Sequence, residues 1–146
     1  MIYYISDTHF RDQIIFDKCE RPFSSLKEME EIIIQRRNNK VKKDDIVYIL
    51  GDISKDNDNS TIEIFRKLSG HKHLIVGNHD QLIQDCIKNS KVFETIKLID
   101  LIIDNNRKVC ICHYPLMDWM EFNRGGFLVY GHIHNKTSKH GEAYKK

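Results

Sequence analysis

Asp7-x-His9, Asp52, Asn78-His79-Asp80, His113 and His132-x-His134 are the side chains of this sequence best suited to hold a metal ion or move a proton. The set mixes imidazoles, carboxylates and one amide, with no obvious thiolate. Such donors suit a borderline first-row divalent ion (Mn, Fe, Ni, Co or Zn) better than an all-oxygen magnesium site. Seven candidate ligands (Asp7, His9, Asp52, Asn78, His113, His132 and His134) are too many for one ion that keeps a position open. Two ions sharing a carboxylate fit the count, and Asp52, alone in its segment, is the natural bridge. Two metals about 3.5–4 Å apart can hold a bridging hydroxide and polarise two oxygens of a phosphoester. A histidine that is not a ligand could then supply the proton for the leaving alkoxide. His79 fits that role, and Asp80 beside it could orient and charge the imidazole.

These residues share one syntax. Ile2-Tyr3-Tyr4-Ile5 precedes Asp7 and His9, Ile46 to Leu50 precedes Gly51-Asp52, and His73 to Val76 precedes Gly77-Asn78-His79-Asp80. Arg107 to Cys112 precedes His113, and Phe127 to Tyr130 precedes Gly131-His132-Ile133-His134. Each is an apolar, strand-like run that ends in metal-competent side chains. Open α/β sheets carry functional groups at the carboxyl ends of their strands, so five such endings can converge on one rim. Any one of them alone is more often a polar turn; five in the same syntax are not coincidence. Between them, Ser25-Leu26-Lys27-Glu28 has capping-box spacing and predicts a helix to about Asn39. Ser60-Thr61-Ile62-Glu63 predicts a second helix to about Leu68, and Gln81 to about Lys88 a third. Lys97 to Ile103 and Arg107 to Cys112 read as a hairpin turning at Asp104-Asn105-Asn106. Cys110 and Cys112 share a strand face, which favours buried thiols on the core side over a zinc–thiolate site.

The 146 residues predict one domain, 1–146, with room for a core. Hydrophobic content is 40% and charged content 30%, an ordinary globular composition rather than a disordered one. With 23 basic and 21 acidic residues there is no basic stripe, which argues against binding long nucleic acid. No apolar run approaches a membrane span, and the N-terminal run reads as a strand rather than a leader, so a cytoplasmic protein is expected.

In order and in spacing, Asp7-x-His9, Gly51-Asp52, Gly77-Asn78-His79-Asp80, His113 and Gly131-His132-x-His134 resemble the five signature motifs of the calcineurin-like metallophosphoesterases. The resemblance covers nearly the whole chain. Arg21-Pro22-Phe23 and Tyr48-Ile49-Leu50-Gly51-Asp52 look like small bacterial and phage members. It implies an α/β fold: a four-layer α-β-β-α sandwich of two mixed sheets, face to face and flanked by helices. It implies that Asp7, His9, Asp52 and His134 bind one metal and Asp52, Asn78, His113 and His132 the other. Manganese is the ion to expect in vitro, and His79 is the non-ligand acid. The chain departs from the pattern at Lys55, where many members carry an acid, and at Arg11-Asp12, where small members often carry Gly-His.

The leading expectation is a phosphoesterase acting on a small phosphomonoester or phosphodiester, a nucleotide among the candidates. A non-catalytic scaffold of the same fold and a nuclease or nucleotide phosphodiesterase are the alternatives. Arg11 and Arg124 are candidate phosphate contacts, although exposed loop arginines are the commoner outcome. His71, His73 and His140 fall outside the pattern, and Trp119 and Phe122 are expected to pack against the domain. So small a chain leaves few residues for a pocket wall, which a homodimer partner or the Trp119–Gly126 loop could supply.

Overall fold

The computed structural model describes residues 1–55, 59–80 and 84–134. His140 and the segment after His134 lie outside the described residues, as do the first residues of the helix expected from Gln81. Four parallel strands form the first sheet in the order β1 (Ile2–Ile5), β2 (Ile46–Ile49), β3 (His71–Ile75) and β4 (Thr95–Lys97). The second sheet pairs β5 (Ile99–Asp104) antiparallel with β6 (Arg107–Cys112), which pairs parallel with β7 (Phe127–Val129). Only this second sheet is mixed. The expected run from Lys97 to Ile103 is not one strand: the chain breaks at Leu98 and passes from one sheet to the other.

Among the described residues, four α-helices accompany the strands. The first, α1 (Gln13–Lys18), was not expected from its apolar pattern; the Asp12 side chain caps it by accepting from the Ile15 N–H. In α2 (Leu26–Lys40), Ser25 Oγ accepts from the Glu28 N–H, and the Glu28 carboxylate reaches back to Ser24. The third helix, α3 (Asn59–Arg66), buries Ile62, Ile64 and Phe65, and α4 (Gln84–Ser90) follows β3.

Two clusters make the core. Ile33 and Ile34 of α2 and Ile64 and Phe65 of α3 pack with Phe10, Val47, Ile49 and Leu74 on one face of the first sheet. On its other face, Leu50 and Ile75 meet Val109 and Ile111 of the second sheet, with Tyr4, Tyr48, Ile102 and Val129 around them. The described residues thus form helix, sheet and sheet layers. The fourth, helical layer is not seen among them: Ile99, Leu101 and Ile103, on the outward side of β5, are exposed. Cys110 and Cys112 are buried, but on the face opposite Val109 and Ile111, outside the inter-sheet core. No described helix is long and apolar enough to cross a membrane.

Candidate metal centre

The carboxyl ends of β1, β2, β3, β6 and β7 bring the candidate ligands to one rim. The backbone does unusual things there. Asp7, His9, Asp52, His132 and His134 all have positive φ, between 45° and 71°, which non-glycine residues rarely adopt. Such strain persists only where surrounding structure imposes it, and it clusters at functional sites. Backbone contacts impose it: the Asp7 N–H donates to the Gly51 carbonyl at 3.1 Å and the His9 N–H to the Asp52 carbonyl at 3.0 Å. The His132 N–H in turn donates to the Asp7 carboxylate at 3.0–3.1 Å.

Two glycines let the loops close. A Cβ on Gly77 would sit 2.3 Å from Asp52 Oδ1 and 2.6 Å from the Asp52 backbone nitrogen. One on Gly131 would fall 1.7 Å from Ser6 Oγ and 2.6 Å from Asp7 Oδ2.

Donor atoms of Asp7, His9, Asp52 and His134 all lie within 4.8 Å of one another, and so do those of Asp52, His113 and His132. Asp52 belongs to both groups. Its Oδ2 stands 3.3 Å from His113 Nε2 and 3.7 Å from His9 Nε2. Asn78 completes the second group, with Oδ1 3.1 Å from His113 Nε2 and 3.0 Å from His132 Nδ1. In the first group His9 Nε2 and His134 Nε2 face each other at 3.2 Å, and His134 Nε2 is 3.4 Å from Asp7 Oδ1. Two imidazole nitrogens turned on one another beside two carboxylates are the donor arrangement a cation would satisfy. The residues present therefore fit a divalent ion in each group.

Outer contacts fix which nitrogen faces inward. His113 Nδ1 is 2.6 Å from the Leu50 carbonyl; a carbonyl only accepts, so Nδ1 carries the proton and Nε2 turns to the cluster. Behind His9, Asp12 Oδ2 lies at an ion-pair distance of 3.4 Å from Nδ1, a buried nitrogen that makes no hydrogen bond to the described residues. Cys19 Sγ lies 3.1 Å from His134 Nδ1. Arg21 donates from Nη2 to the Asp7 carbonyl at 2.8 Å. The sequence does not mark Asp12 or Cys19 as neighbours of the ligands: Asp12 stands out only as a departure from the small-member pattern, and nothing local marks Cys19, which is 115 residues from its partner.

Burial dominates the electrostatics. It pushes His9 and His134 below the usual imidazole range, Asp52 and Asp7 opposing it, and so favours the neutral, ligating form. Burial works the same way on His113, but Asp52 and the Leu50 carbonyl together outweigh it, and the net shift is upward. For Asp52 burial pushes upward; hydrogen bonds from His113 and from the His79 N–H outweigh it and hold the carboxyl low.

His79 lies outside these two groups, which share Asp52; with His9 and Asp12 it forms a third set of donors within 4.8 Å of one another. It is exposed, its ring edge-on to His9 with centroids 5.1 Å apart. Asp80 does not do what its position beside His79 predicts. Its carboxylate is fully buried, with Oδ2 accepting from the Asp52 and Gly77 N–H groups at 2.8 Å and Oδ1 from the Ile53 N–H at 3.0 Å. Both oxygens are taken by backbone, so Asp80 ties the β2 and β3 loops together rather than orienting the imidazole.

The remaining candidates sit apart. The Arg11 guanidinium is engaged by Ser60, and Arg124 is an exposed loop arginine 3.3 Å from Glu121. Trp119 packs on Phe122 with centroids 4.5 Å apart and donates to the Gly126 carbonyl. His71 pairs with Glu94, and His73 bonds Thr95, away from the rim. A cavity of about 350 Å³, lined in part by Asp7, Cys19, Arg21 and His134, opens beside the first group.

The family model described as calcineurin-like phosphoesterase matches residues 1–140. An uncharacterized protein of Methanocaldococcus jannaschii is 36% identical over 135 residues, covering 91% of this chain and 69% of that protein. The crystal structure of a protein of unknown function from Aquifex aeolicus superposes with a TM-score of 0.77 at 26% identity, covering 94% of this chain and 81% of the other.

Proposed function

Because the chain belongs to the calcineurin-like phosphoesterase family, we propose that it is a hydrolase that uses two divalent ions to cleave a small phosphomonoester or phosphodiester. The observation that carries this reading is Asp52, one buried carboxylate common to two groups of converging donors. Asp7, His9, Asp52 and His134 would hold one ion, and Asp52, Asn78, His113 and His132 the other. Two ions so held would polarise the phosphoryl oxygens and lower the pKa of water.

The chain's own residues do the rest. The strained loops keep the donors in place before binding, so little reorganisation is needed when substrate arrives. The Leu50 carbonyl fixes the His113 tautomer, and Asp80 holds the two loops that carry Asp52 and Asn78 at a constant separation. His79, exposed at the rim and outside the shared ligand set, donates a ring proton to the leaving alkoxide. The cavity beside Asp7 and His134 is at the small end for a ligand pocket, which supports a small leaving group.

The test is hydrolysis of a chromogenic phosphodiester and its phosphomonoester counterpart by manganese-loaded protein, beside Asp52→Asn. Manganese-dependent turnover that Asp52→Asn abolishes is expected, and the ratio of the two rates reports the ester class. Turnover that survives either chelation or Asp52→Asn would refute the two-ion reading.

A further inference from the structure

We propose that the outward face of the second sheet is where two copies of this chain pack together. Side chains alternate along β5, so Ile102 turns to the inter-sheet core while Ile99, Leu101 and Ile103 share the outer side. Ile103 is 70% exposed there. The register places Cys112, Cys110 and Lys108 of β6 opposite these three residues. The segment that follows His113 folds back over that part of β6, with Lys108 Nζ 2.9 Å from Glu121. It carries exposed Met120 and Phe122 on either side of Glu121 in the chain, and Leu98, where the chain changes sheet, borders the strip at Ile99.

The extent of this surface decides what it fits. At about 200 Å² for a fully exposed residue of this size, the exposures of Leu98, Ile99, Leu101, Ile103, Met120 and Phe122 leave roughly 600 Å² of surface on apolar residues, backbone included. That is the upper end of what a monomer leaves open, and with a polar rim it approaches the roughly 800 Å² per partner of a standard interface. The strip is also self-complementary. It runs along β5, an edge strand bonded among the described residues to β6 alone. A two-fold axis through Leu101 lays it antiparallel on its own copy, Ile103 against the partner's Ile99, with the two sheets packed face to face. The cation at its border, Lys108, is paired with Glu121, which Arg124 also reaches at 3.3 Å. This interface would cover the face on which no helical layer is seen among the described residues, and it does not depend on the metal chemistry.

Sedimentation of the full chain from about 1 to about 200 µM tests it. A monomer–dimer equilibrium is expected, together with slower amide exchange at residues 99–103 as the concentration rises. Leu101→Lys, at an exposed position, puts like charges on the axis and is expected to weaken the dimer by roughly a hundredfold or more. Phe127→Ser, an exposed aromatic beside Arg107 rather than on this strip, is expected to leave dimerisation unchanged. A wild-type chain that stays monomeric at the highest concentration would overturn the inference, as would a dimer that Leu101→Lys leaves intact.

Discussion

Replacing Asp80 by Asn separates bracing from catalysis. The carboxylate accepts three backbone N–H groups, from Asp52, Gly77 and Ile53, at 2.8–3.0 Å inside the protein. An amide of the same shape has one oxygen. If that oxygen keeps the Asp52 and Gly77 donors, the new NH₂ group faces the Ile53 N–H, donor against donor. One charge-assisted bond is lost, at about 1.5–3 kcal/mol, and buried donors are left unsatisfied at about 1–3 kcal/mol. The other two bonds weaken as the charge disappears. A total near 4 kcal/mol is a large share of the 5–15 kcal/mol that typically holds a domain together. For a chain of this size it corresponds to a fall in Tm of roughly 8–16 °C. Thermal unfolding in excess chelator is the assay, because bound metal would add its own stabilisation. His79→Ala is the control, since an exposed imidazole contributes little to folding. If Asp80→Asn melts within about 3 °C of wild type, roughly 1 kcal/mol, while losing rate as His79→Ala does, Asp80 acts through His79 and the bracing account is wrong.

Other consequences follow from the same geometry. His79→Ala should lower turnover by roughly 10²–10⁴ while metal content, measured by elemental analysis, stays at the wild-type value; a loss of metal would make His79 a ligand instead. Gly77→Ala drives a Cβ into Asp52 and should cost about 1–3 kcal/mol of stability in chelator. Manganese affinity should fall with it, because Asp52 serves both donor groups, and unchanged affinity by calorimetry would argue against that sharing. In chelator, the Asp52–His113 pair should shape stability against pH. Asp52 is held below its ordinary value, so its contribution is present above about pH 4 and fades as pH falls through the lowered value. His113 is raised, so its contribution is full below about pH 6.5 and fades as pH rises through the raised value. Denaturant unfolding across that range should be flatter on both limbs in Asp52→Asn.

The rim was legible in the sequence because each of its segments repeats one local rule, an apolar run broken by a turn that carries a donor. Ser25 and Glu28 likewise announced α2 through contacts three residues apart. What escaped depends on distance or direction. Asp80 stands next to His79 in sequence, but a tight turn aims its carboxylate at β2, and no spacing rule reports where a side chain points. Cys19 meets His134 only in the folded chain. The break at Leu98 hides inside a β-rich run, Lys97 to Ile103, because a strand leaving one sheet for another needs no glycine or proline to mark it. Burial of Cys110 and Cys112 followed from alternation, whereas the choice of face depended on which side the segment after His113 folds over.

Electron paramagnetic resonance of the manganese-loaded chain, titrated to saturation, tests the shared site most directly. Two ions per chain with an exchange-coupled spectrum are expected, giving way in Asp52→Asn to uncoupled manganese or to a single ion. One ion per wild-type chain, or an uncoupled spectrum at two, would contradict a centre built around Asp52.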